Sequence, residues 1–142
     1  MTLPQAVCNY AILQFLPYPD TGEFVNVGVL VTCRQHCLLQ FRAEKEPSAR
    51  MKAMFPSVNE QGYASAMDAL QMDMERAAGC ARDPQRCQFL FGELTRRRES
   101  TFRFGDVRTI LTNDPQHQVV ELFRRYVLME STPPPKPTLA TA

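Results

Sequence analysis

Glu23, Asn26 and Gly28 interrupt the most apolar stretch of the sequence, the run EFVNVGVLVTC. A carboxylate near a carboxamide inside an apolar strand is a place where acid–base or hydrogen-bonding chemistry would sit, and Tyr10 in the preceding run adds a phenol. An enzyme built on Tyr10, Glu23 and Asn26 would need a second carboxylate or a base close by. The same residues also have a structural account. Glu23 can accept the N–H groups of the turn before it, Asn26 can satisfy a bulge or an edge, and Gly28 permits close approach of a neighbouring element. The structural account is preferred.

The second set is basic. Arg96, Arg97, Arg98, Arg103, Arg108, Arg124 and Arg125 fall in the last third, whereas no Lys or Arg precedes Arg34. Such a set suits phosphate groups or an acidic partner surface, with Phe102 and Phe104 available for stacking if exposed. Glu93, Glu99, Asp106 and Glu121 lie among the arginines and cancel much of their field. That ranks a protein partner above nucleic acid, with Arg97, Arg98, Arg124 and Arg125 as the docking residues. The plain alternative is that the arginines solvate helix and strand faces while the phenylalanines point inward.

Cys33, His36 and Cys37 form a Cys-x2-His-Cys cluster, but a strand–turn–strand sends alternate side chains to opposite faces, and structural zinc sites usually present paired C-x2-C knuckles. No metal and no cofactor is expected, and the cysteines read as free thiols. With only two histidines, His36 and His117, and no glycine-rich phosphate loop, no nucleophilic or nucleotide chemistry is legible. Met51, Met54, Met67, Met72 and Met74 read as core filler, with Met72 standing off the helical stripe.

Positioning these residues is the work of one domain's length of chain. The 142 residues are 44% hydrophobic and 22% charged, with 16 Lys+Arg against 15 Asp+Glu, so the global charge of +1 attracts neither nucleic acid nor anionic membrane. Five cysteines, an odd number, make no disulfide framework. No basic leader opens the text and no apolar run nears the ~20 residues of a membrane span, so a cytoplasmic protein with no membrane contact is expected.

Asn9 to Leu16 is a β-prone run ended by the turn-forming PYPDTG. In the next run the period-2 rule puts Val25, Val27, Val29 and Val31 on one face, and Phe24, Asn26, Gly28 and Leu30 on the other. Cys37 to Ala43 follows at hairpin distance, which predicts a three-stranded meander. Helical spacing then sets in, briefly around Met51 and Phe55 and at length from Ser57. Ser57 and Glu60 have capping-box spacing, Tyr63, Ala66, Met67, Leu70, Met74 and Ala77 form one stripe, and Gly79 supplies a stop. Asp83-Pro84 opens a further helix with Cys87, Leu90, Phe91 and Leu94 inward. Ser100 to Thr112 reads as a late strand broken at Gly105-Asp106. Asp114-Pro115 opens the last helix, with Val119, Val120, Phe123, Tyr126 and Val127 on its apolar face. The fold expected is α+β, an antiparallel sheet of about four strands with helices packed on one face, over residues 1–130. The Pro-rich segment 131–142 is expected to be a disordered tail.

The stretch YAILQFLPYPDTGEFVNVGVLV resembles the opening of the bacterial domain of unknown function 3037 family, position by position at Tyr10, Pro17, Gly22, Glu23, Asn26, Val27, Gly28 and Val29. Leu94, Thr95, Val107-Arg108-Thr109 and Asn113-Asp114-Pro115 are similar to its ending, although RRRES replaces the Pro-Arg-Ser step of many members. The resemblance implies a shared fold and brings no catalytic residues. It further implies a small non-enzymatic partner protein, a binder or regulator of a HipA-like kinase.

Overall fold

The computed structural model describes residues 5–96 and 100–130. Three strands come first: β1 (Ala6–Phe15), β2 (Val25–Cys33) and β3 (Leu38–Ala43). Helices α1 (Ala49–Met54), α2 (Glu60–Cys80) and α3 (Pro84–Leu94) follow, then two short strands β4 (Phe102–Phe104) and β5 (Arg108–Thr112), and last α4 (Gln118–Tyr126). All strand pairs are antiparallel, in the order β3-β2-β1-β4, with β5 also paired to β1. The class is α+β, as its sequence pattern predicts. The segment 131–142 lies outside the described residues.

The N-terminal meander reverses direction twice, each time through a short 3-10 turn closed by a left-handed residue. The first is a 3-10 turn, Pro19–Thr21, closed by Gly22 at φ 76°, a left-handed position that glycine occupies without strain. The second, Arg34–His36, is closed by Cys37 at φ 50°. The late strand, expected as one broken element, is two strands. At Gly105 the backbone donates to the Ile12 carbonyl at 2.9 Å, and a Cβ there would lie 3.0 Å from the Gln14 side chain. The chain then leaves the sheet and rejoins it at Arg108.

Helices cover both faces of the sheet, which corrects the expected one-sided packing. Met51, Phe55, Tyr63, Met67, Met74, Cys87 and Phe91 of the α1–α3 region pack on Ala11, Leu13, Phe15, Val25, Val27 and Leu30. Val119, Leu122, Phe123 and Val127 pack on the reverse face, against Ala6, Cys8, Tyr10, Ile12, Val29 and Val31. The reason is visible in β1, whose run is apolar at consecutive positions rather than alternate ones, the pattern of a strand buried on both sides.

The four valines of β2 do not share a face. Leu13 pairs with Gly28 but Gln14 pairs with Asn26, so Val27 is the extra residue of a β-bulge. Beyond it, Val29 and Val31 face α4; Val25 and Val27 itself face the α1–α3 side. The bulge turns Asn26 to the α4 side, where its side chain meets Tyr126. Gly28 stays on the opposite side. A Cβ there would come within 2.8 Å of the Ala43 Cβ and 3.0 Å of the Arg42 carbonyl, so glycine lets β3 approach.

Two helix starts differ in how well the text showed them. Asp83 caps α3 by accepting from the Arg86 N–H at 2.8 Å, as expected. The cap of α2 is Asn59, accepting from Gly62 N–H at 2.8 Å, rather than Ser57, and the helix passes Gly79 to end at Cys80. Its stripe buries Tyr63, Met67 and Met74 and leaves Met72 exposed.

Candidate functional site

The α4 face is only partly covered. α4 lies across β2 and β3, and beside its C-terminal end, over β1 and the break between β4 and β5, a cleft of about 450 Å³ remains. Its floor is a polar row set by register: Asn26 of β2 beside Gln14 of β1, and Gln14 beside Arg103 of β4. Arg108, paired with Tyr10, and Tyr126 of α4 form another wall. Asp106 lines the opening, with the exposed Phe24 and Val107 at the rim.

Both arginines are held by neutral groups. The Arg103 Nε donates to the Gln14 Oε1 at 3.2 Å. The Arg108 Nη1 lies 3.5 Å from the Tyr126 hydroxyl, a long contact, with its guanidinium carbon 5.7 Å from the centre of that ring, within cation–π range. The Tyr126 hydroxyl is 3.4 Å from that of Tyr10, and the Tyr126 carbonyl accepts from Asn26 Nδ2 at 3.3 Å. Among the described residues no ion pair involves Arg103 or Arg108. Burial, more than the adjoining Tyr126 phenol, pushes the Tyr10 phenol up to about 12, against the opposing pull of Arg108. At neutral pH Tyr10 therefore carries its proton and acts as a hydrogen-bonding group rather than a base. The cleft offers cationic and amide N–H donors, which is chemistry for holding an anion.

A family model for proteins of unknown function, DUF3037, matches residues 10–127. The chain belongs to the DUF3037 family. The matched span includes every residue that lines the cleft. No curated protein and no solved structure matches the chain.

In this DUF3037 protein the strand motif divides between site and scaffold. Tyr10 and Asn26 both meet Tyr126, while Gly28 is a packing residue on the other side of the sheet. Glu23 is exposed in the loop before β2, its N–H bound to the Thr21 hydroxyl, and does not line the cleft. The trio Tyr10, Glu23 and Asn26 is therefore not brought into one cleft. Of the expected docking arginines, Arg97 and Arg98 lie outside the described residues. Arg124 is exposed and pairs with Glu130 at 3.2 Å and Glu121 at 4.0 Å; Arg125 is half-buried and also engaged.

Cys33 is buried while His36 and Cys37 are exposed, and among the described residues no group of three or more His, Cys, Asp or Glu side chains is placed to hold a metal ion. No described helix is long and apolar enough to cross a membrane. Sequence reasoning missed Gln14 and Tyr126. Gln14 sits in an apolar run and Tyr126 on an apolar helix face. The available signal was the glycine inside β2, which often marks a bulge and hence a change of face for Asn26.

Proposed function

We propose that this DUF3037 protein is a binding module for another protein and that the cleft between α4 and the β4–β5 break receives an anionic group of that partner. The observation that carries the reading is the pair Arg103 and Arg108, tethered by a carboxamide and a phenol and, among the described residues, in no ion pair. A cleft of about 450 Å³ is within the range of sites that take small molecules or peptide segments. A HipA-like kinase, the partner implied by the family resemblance, is the first to try. Its cytoplasmic setting belongs to the same proposal.

The test is an affinity purification from the native host with the wild type and with the double variant Arg103→Gln/Arg108→Gln, beside thermal melts of both. The partner should be retained by the wild type and lost from the variant, with melts that overlay. Equal retention by both would remove the cleft and direct attention to the outer side of α4 at Arg124 and Arg125.

A further inference from the structure

Resting on the cleft as the partner site, we propose that its ligand is one carboxylate carried beside an apolar side chain on a peptide. Charge balance points to a monoanion. Arg103 and Arg108 bring two positive charges and Asp106 one negative, so the described lining residues carry a single net positive charge. A phosphate monoester, with about −1.5 to −2 at pH 7, would exceed that charge and face the Asp106 carboxylate as well. A carboxylate matches it.

Donor geometry agrees. Each guanidinium has five N–H donors in a planar fork. The Arg103 fork engages the Gln14 oxygen and the Arg108 fork lies against the Tyr126 and Tyr10 hydroxyls, so N–H donors of each fork remain for a ligand. A carboxylate accepts two parallel N–H groups from one fork, which fixes its direction as well as its charge. Because the guanidinium groups are pre-positioned by Gln14 and by the Tyr10–Tyr126 pair, little side-chain freedom is lost on binding.

The rim supplies the second half of the recognition. Phe24 is 38% and Val107 51% exposed, and both border the cleft whose floor is polar. An apolar side chain next to the bound carboxylate would cover them and exclude water from the ion pair. The carboxylate can be a chain terminus or a Glu side chain; both present the same group.

Four tetrapeptides separate these chemistries, followed by titration of the protein's backbone amide resonances. They are acetyl-Gly-Ser-Gly-Leu with a free terminus, acetyl-Gly-Ser-Glu-Leu-amide, acetyl-Gly-Ser-Gly-Leu-amide, and the last with phosphoserine for serine. At least one of the two carboxylate peptides should shift Gly105, Asp106 and Val107 saturably, and whichever binds more tightly identifies the source. The neutral and phosphorylated peptides should bind about tenfold more weakly or worse, and Arg108→Gln should weaken the carboxylate peptide by about tenfold with its melt unchanged. Binding of the phosphopeptide or the neutral amide as tight as that of both carboxylates would overturn the assignment. If no carboxylate peptide binds while partner capture still depends on Arg103 and Arg108, the ligand class is wrong and the cleft stands. Capture independent of both arginines removes the cleft and this inference together.

Discussion

The two faces of the sheet are built from the same strands and finished differently. The face under α1, α2 and α3 is closed by aromatic and aliphatic packing: Phe15 stands edge-on to Tyr63 at 5.0 Å, and Phe102 lies 5.2 Å from Phe15 and 5.8 Å from Tyr63. The face under α4 is apolar at one end and polar at the other, where Gln14, Asn26, Arg103 and Arg108 line the cleft. The first is the more completely packed layer, and the second is the one in which the proposed partner site lies. A single extra residue at Val27 is what sorts β2 between them.

The largest expected effect comes from putting a charge into the closed face. Val27→Asp buries an unpaired carboxylate at a fully buried position and should cost about 3 kcal/mol or more, enough to abolish the cooperative melt followed by circular dichroism. An unshifted melt would remove Val27 from the core. Next, Gly28→Val forces side-chain atoms into the Ala43 and Arg42 backbone region and should cost about 1–3 kcal/mol by overpacking, seen as a lowered urea midpoint. The open face should tolerate change. Tyr126→Phe removes only long hydroxyl contacts and should cost less than about 1 kcal/mol, while the partner's dissociation rate rises because Arg108 loses a tether. If Tyr126→Phe destabilised the protein as much as Gly28→Val, the division of labour between the faces would fail.

A smaller effect sharpens the comparison through pH. The Tyr10 phenol moves from its ordinary 10.0 up to about 12 in the fold. Below 10.0 both folded and unfolded chains hold the proton; between those values only the folded chain does, so unfolding releases a proton and stability falls as pH rises. Urea titrations in that window should show a shallower fall for Tyr10→Phe than for the wild type. Burial pushes Cys8 and Tyr63 upward as well, so part of the slope should survive. Identical slopes would show that Tyr10 is not the group responsible.

Most of what local pattern can specify was legible in the sequence. Asp83-Pro84 as a helix start, the Tyr63–Met67–Met74 stripe and the PYPDTG reversal each follow from residues close together in the chain. The bulge was not, because the period-2 rule applied to Val25–Val31 assumes that no residue is inserted, and only the pairing of Leu13 and Gln14 with β2 reveals the insertion. The second helical face was missed for a related reason: a strand apolar on consecutive positions reads as strongly β-prone without saying what covers it. The cleft is harder still. Its floor is a row across three strands, Asn26–Gln14–Arg103, whose members are far apart in the chain and meet only through register. Glu23, the most reactive-looking member of the motif, was conspicuous by type and sits outside.

β1 is the hub of the sheet, paired with β2 along one edge and with β4 and β5 along the other, so that Ala6 meets Thr112. During synthesis the meander can form early, but the second edge of β1 stays unpaired until the last strands have left the ribosome. A nascent chain in that interval presents an open ladder of N–H and C=O groups beside an uncovered apolar face, the condition in which strands recruit foreign partners. The cost of this topology is therefore kinetic: completion depends on contacts of very long sequence separation, and refolding should be slow compared with helical proteins of similar size.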